Sequence, residues 1–247
     1  MASCKNCGAP INDLYCGHCG QKAVAERITF HYIWHGLVHF FTHAEKGFFY
    51  SSVQMNISPG ISVISFLDGS RSRHQTPVSY FLIWNAIYIL ILYLLNGLFG
   101  RNTVVDFSNY FGTGEKTNFA LSHLNWVLLS LLPFQALYIY LVLMFRRYNY
   151  FEALVTVLFG IGTVLFWQFV FVTLSIPFYL LTGQKVNIIW SDIFKIIYIG
   201  WFISDLTRHL TIRNKLLKTV AVLILIFGTF TVWRLYLFPS VIGLLLR

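Results

Sequence analysis

Four cysteines, Cys4, Cys7, Cys16 and Cys19, lie within the first 19 residues of this 247-residue chain, and it has no others. Their spacing is C-x2-C-x8-C-x2-C. Two residues between thiols let both sulfurs reach one ion from a tight turn, and a second such turn completes a tetrahedral set with no open position. Gly8 and Gly20 follow the second cysteine of each pair, where the backbone turns its amides toward sulfur and a positive φ is useful. The chemistry expected is a closed, structural Zn²⁺ site that folds a segment too small for its own core. Two disulfides are the alternative and would need an oxidising compartment. A redox CxxC fits less well, with two copies and no βαβ context. His18, between Cys16 and Cys19, reads as a solvated bystander. Thiolates place this end in the reducing cytoplasm.

A second set of potential ligands follows. His31, His35, His39 and His43 recur at i, i+4 between Ile28 and Phe49. On a helix they share one face, opposite Phe30, Ile33, Trp34, Leu37, Phe40, Phe41, Ala44 and Phe48. Such a helix lies flat at the membrane interface with its histidines toward water. The stripe has two other uses: a metal site built from i, i+4 pairs, or a face that responds to pH near neutrality. Carboxylate partners are scarce, with only Glu26 and Glu45 near.

The third group is ionisable and falls within apolar runs. Asp192 and Lys195 are three residues apart, and Arg234 lies in the last run. Charge within a membrane bundle points to function by default. An Asp192–Lys195 or Asp192–Arg234 pair either fixes helix register or lines a polar pathway. No Ser-His-Asp order, carboxylate pair or phosphate-cradling glycine loop is legible, so no catalytic residue is assigned.

These residues need elements to hold them. Hydrophobic residues make up 57% of the chain and charged ones only 11%, against about 25% charged in a soluble domain. That surface suits lipid. Five runs reach spanning length: 78–99, 125–145, 153–181, 188–206 and 217–237. The fold class expected is an all-α membrane protein of about five transmembrane helices. Residues 1–22 form a zinc ribbon, 23–77 an amphipathic interfacial or re-entrant region, and 78–247 the bundle. Ser58-Pro59-Gly60 divides the middle region, and Pro77 starts the first span. Pro133 and Pro177 interrupt helix hydrogen bonding, and Gly160 and Gly162 permit close packing. No signal-peptide pattern opens the sequence, so the first span serves as its own insertion signal.

With the N-terminus inside, twelve Lys and Arg residues fall in cytoplasmic segments and four outside. The positive-inside rule then agrees with the thiolate argument, and the C-terminus lies outside. Arg71, Arg73, Arg146 and Arg147 are expected at the membrane surface, against anionic headgroups. The net charge of +9 is read in this way and not as nucleic-acid binding.

The pieces Cys16-x-x-Cys19-Gly20-Gln21, Arg27-Ile28-Thr29, Glu45-Lys46-Gly47-Phe48, Ser58-Pro59-Gly60, Gly69-x-Arg71 and Pro77-x-x-Tyr80 resemble a family of uncharacterised bacterial multi-pass membrane proteins, a domain of unknown function. The likeness covers about the first 85 residues. It implies an N-terminal Cys4 ribbon on a bundle in the bacterial inner membrane and carries no chemistry. Ser70 stands where that family usually has a basic residue. Two functions are expected nearly level. One is an oligomeric channel or transporter for a small ion or lipid-like solute. The other is a non-enzymatic subunit that docks a membrane-complex partner through its ribbon. A metalloenzyme based on the histidine stripe ranks below both.

Overall fold

A computed structural model describes residues 2–11, 13–24, 27–35, 47–100, 104–107, 124–210 and 212–233. The chain is mostly helical. The cysteine segment opens with two short antiparallel strands, β1 (Ala2–Ser3) and β2 (Pro10–Ile11). A helical segment over 30–35 follows. Next come α1 (Phe48–Ile57), α2 (Pro59–Leu67) and α3 (Pro77–Phe99). Beyond the strand β3 (Val105–Asp106) lie α4 (Leu124–Ile139), which ends in a π turn over Tyr140–Met144, and α5 (Tyr150–Thr182). The strand β4 (Val186–Asn187), α6 (Ile189–His209) and α7 (Lys215–Val232) complete the described chain.

The helix boundaries follow from local chemistry. Pro59 and Pro77 sit in the first turns of α2 and α3, where a missing N–H costs nothing. Asn149 caps α5 in a reciprocal capping box: its side chain accepts from the Glu152 amide (2.9 Å), and Glu152 accepts from the Asn149 amide (2.7 Å). Gly183, in the left-handed region, closes the far end of α5.

Among the described residues, three helices are long and apolar enough to cross a membrane: α3, α5 and α7. The other two expected spans have helices at their places but differ in kind. The apolar helix Leu129–Met144 is shorter, and Pro133 within α4 cannot donate to the carbonyl of Leu129. The 21-residue α6 carries Asp192, Lys195, Asp205 and Arg208. Part of the last expected span, with Arg234, lies outside the described residues.

The organising contact is α3 against α5. Gly162 allows it, because a Cβ there would come within 2.7 Å of the Tyr80 ring. The Tyr80 hydroxyl hydrogen-bonds Thr163 (2.9 Å), and Phe99 meets Tyr179, 19 residues further along α3 and 16 further along α5. The two helices therefore run parallel. At their far ends β3 and β4 pair in parallel, with the Val186 amide donating to the Val104 carbonyl (3.0 Å). At 1.5 Å per residue, α5 is about 50 Å long, well beyond an apolar core of about 30 Å.

The first turns of α5 gather the remaining pieces. Phe159 packs edge-on against Phe66 of α2. Gly60, also on α2, lies so close to α6 that a Cβ would collide with the backbone of Asp205 and Leu206. Its amide donates to Asp205 Oδ2 (2.7 Å). Most of α2 is buried in these contacts, so its apolar run serves protein packing. Ser51 and Ser52 on α1 accept from the Gln75 amide (2.8 Å) and from Trp84 Nε1 (3.2 Å), which ties α1 to the start of α3.

Candidate functional site

The four thiols converge. All four sulfurs lie within 4.8 Å of one another, and no disulfide joins them. The Cys4–Cys19 and Cys7–Cys16 sulfurs are each 3.6 Å apart. Tetrahedral bonds of 2.3 Å to zinc would set sulfurs about 3.8 Å apart, so the cluster has the dimensions of a Cys4 site. The two halves repeat one backbone design. Gly8 and Gly20, at φ +76 and +72, donate to the carbonyls of Cys4 and Cys16 (2.8 Å each).

The four thiols differ in their electrostatic surroundings. The Gln21 amide beside Cys19 draws that thiol down to about 6, and the Cys19 and His18 amides lower Cys16. The Ala9 amide acts in the same sense on Cys7, but burial and the three other thiol groups outweigh it and push Cys7 up to about 12. Were all four ionised at this spacing they would repel one another, and a divalent ion would relieve that repulsion.

The cysteine segment is fastened to the bundle by Gln21. Its Nε2 donates to the Gly69 carbonyl, and its Oε1 accepts from the Arg71 and Ser72 amides (3.0 and 3.1 Å). Ser70 donates to Asn6 Oδ1 (2.9 Å). The loop between α2 and α3 thus receives the second cysteine knuckle directly. Arg27 and Ile28 extend the joint: Ile28 is fully buried, its carbonyl accepts from Asn149, and Arg27 lies 3.5 Å from Glu152. Separate sequence pieces, Cys19-Gly20-Gln21, Arg27-Ile28, Gly60 and Gly69-x-Arg71, therefore meet in one layer around the start of α5. Beside it lies an open crevice of about 520 Å³ lined by Lys5, Arg27, Asp68, Arg147, Tyr148 and Glu152. Arg147 and Tyr148 both hold Asp68, at 2.6 and 2.9 Å.

The other site is a half-open cavity of about 340 Å³ lined by α4, α5, α6 and α7, with Tyr88 of α3 and Phe107. Its walls are mainly Ile, Leu, Val and Phe. Polar groups gather where α6 begins. Lys195 Nζ donates to Asp192 Oδ1 at 2.9 Å, with the side chains 22% and 30% exposed. Gln168 of α5 is 95% buried. Its Nε2 donates to Ser191 Oγ (3.1 Å), and its Oε1 has no hydrogen-bond partner among the described residues. An apolar cavity with a few convergent polar groups is the usual form of a small-molecule site.

Asp192 and Lys195 pair as expected, and Arg234 lies outside the described residues. So do His39 and His43. His31 and His35 are exposed on the 30–35 segment, with ring centroids 6.5 Å apart. The four surface arginines divide. Arg73 and Arg146 are exposed, and Arg147 pairs with Asp68. Arg71 instead lies over the Tyr32 and Phe66 rings at 5.2 and 5.6 Å. Sequence reasoning missed Gln168 and the joint that Gln21 makes, and it puts His74 with Arg71 and Arg73 in a basic loop at headgroup level, whereas His74 is buried. A lone amide inside an apolar run was the available signal for Gln168. The chain matches no family model, no curated protein and no solved structure.

Proposed function

We propose that this chain is a five-pass protein of the bacterial inner membrane that binds a lipid-like amphiphile in its bundle cavity and moves it between the bilayer and the outer surface. The observation that carries this reading is the cavity itself: apolar walls against α5, α6 and α7, and a polar end at Gln168, Asp192 and Lys195. A chain in the cavity replaces lipid contacts at little cost, and the head finds hydrogen-bonding groups that bare hydrocarbon lacks. Five passes fit the alternating helix directions set by the parallel α3–α5 pair and the short connections on either side of α5. The Cys4 cluster holds structural Zn²⁺ in the cytoplasm and steadies the joint where α1, α2 and α5 meet. A homo-oligomer would enclose the exposed faces of α7.

Transfer of a fluorescent single-chain amphiphile between proteoliposomes and acceptor vesicles tests this. Saturable transfer that falls at least tenfold with Asp192→Asn is the expected result. Transfer equal to that of protein-free liposomes sinks the reading. A second reading, docking of a partner through the ribbon, is favoured by Leu14 and Tyr15, which are 79% and 60% exposed there. A stoichiometric foreign protein captured from native membranes, and released by Leu14→Ser, would favour it.

A further inference from the structure

We infer that the half-open cavity takes up a zwitterionic aminophospholipid from the bilayer, with its ammonium on Asp192 and its phosphate beside Lys195. This rests on the reading that the cavity binds a membrane amphiphile, and it adds which head that amphiphile carries.

One wall sets the orientation. Asp192, Lys195, Ile196, Ile199, Phe202 and Ile203 all line the cavity, and their spacing puts them on one face of α6. The face is charged where α6 begins and apolar beyond. From Asp192 to Ile203 it is about 16 Å long at 1.5 Å per residue. The hydrocarbon of one leaflet is about 15 Å deep, half of an apolar core of about 30 Å. The wall therefore has the head-to-tail layout and the length of a lipid in one leaflet. Ile196 and Thr231 line the cavity and stay exposed, so among the described residues it opens between α6 and α7. A lipid with one chain along the wall keeps its second chain in the bilayer through that opening.

The head follows from charge. Lys195 Nζ donates to Asp192 Oδ1 at 2.9 Å, and the two side chains are 22% and 30% exposed, so a ligand can reach both. A carboxylate has about four acceptor sites on its two oxygens. An ammonium that donates to Asp192 makes a charge-assisted hydrogen bond without evicting Lys195. A phosphate beside Lys195 then completes an alternating row of ammonium, carboxylate, lysine and phosphate. That row is neutral, as the pair alone is. A purely anionic head sets a negative charge near Asp192 with no cation of its own, and a purely cationic head does the reverse near Lys195. Either leaves an uncompensated charge against an apolar wall. A trimethylammonium head has the charge but no N–H to donate.

Native mass spectrometry of the full chain in detergent tests this with four lipids that share two dodecanoyl chains: the phosphatidylethanolamine, the phosphatidylcholine, the phosphatidylglycerol and the diacylglycerol. The expected result is one phosphatidylethanolamine per chain, with the other three at least tenfold weaker. A site built to hydrogen-bond an N–H rejects the analogue that lacks it. Asp192→Asn should leave Lys195 as the dominant charge and turn the preference round, with phosphatidylglycerol at least as tight as phosphatidylethanolamine. The four lipids on the unaltered protein decide the matter even where that variant folds poorly. Phosphatidylglycerol or diacylglycerol binding as tightly as phosphatidylethanolamine overturns the zwitterion selectivity and leaves the amphiphile-binding reading standing. Equal binding of phosphatidylcholine overturns the hydrogen bond to Asp192, as does an unchanged preference in a folded Asp192→Asn. Binding of none of the four overturns both.

Discussion

His74 sits in the loop between α2 and α3, enclosed by the rings of Tyr50, Phe66 and Phe159. Its Nδ1 meets no hydrogen-bond partner among the described residues, and burial pushes its pKa down to about 4. The sign follows directly. Below about 6.5 the unfolded chain takes up a proton that the folded chain refuses until about 4. Stability is therefore full above pH 6.5 and falls as the pH drops toward 4, by about 3 kcal/mol from this residue. Thermal unfolding in detergent between pH 4 and 7.5 should show that decline, and His74→Phe should flatten it. An identical pH slope in the two proteins would exclude His74 as the cause. The cysteines belong to the same scale. Metal analysis of the purified protein should find one zinc per chain, and Cys4→Ser should remove most of it. The altered chain should then be cut by protease near residue 20 at far lower enzyme concentration. Full zinc retention by that variant would show that the four sulfurs are not its ligands.

Among elements, the junction of α2 with α6 is the tightest. A methyl group at Gly60 would collide with the backbone at Asp205 and Leu206 and break the 2.7 Å hydrogen bond to Asp205. Backbone cannot rotate aside as a side chain does. Gly60→Ala should therefore cost about 1–3 kcal/mol. Gly97→Ala is the contrast, because nothing lies within 4 Å of a Cβ there. In the last turn of α3 that change should be neutral or stabilising by less than about 1 kcal/mol. Melting temperatures of the two variants side by side check the claim, and equal shifts would refute it. The length of α5 has a related meaning. Its 33 residues exceed what an apolar core requires, and its first turns, with the Asn149–Glu152 box, give α2 and the Arg27-Ile28 segment a surface to pack on.

For the whole molecule, the joint at Gln21 and the β3–β4 pair mark opposite ends of the parallel α3–α5 couple. The ribbon side carries most of the basic residues. If that side faces the cytoplasm, a membrane-impermeant maleimide with chelator should label the ribbon cysteines in inside-out vesicles only. A Gln184→Cys variant, in the exposed turn beyond α5, should gain label in right-side-out vesicles. The reverse pattern would invert the proposed topology.

The sequence alone determined the features set by local chemistry. Cysteine spacing defines a Cys4 cluster because each knuckle is closed by its own short backbone loop. Apolar runs define where α3, α5 and α7 fall, and prolines define where α2 and α3 begin, since these depend on residues near in the chain. Tertiary structure decided what long-range contact requires. Gln21 looks like one more polar residue after a cysteine until Gly69, Arg71 and Ser72 arrive from fifty positions away. Arg71 reads as a headgroup contact, and packing also sets it over Tyr32 and Phe66, which the sequence does not show. Asp192 and Lys195 were legible as a pair because they are neighbours on one helix. The cavity they border was not, because helices far apart in the chain line it and no single run records their crossing.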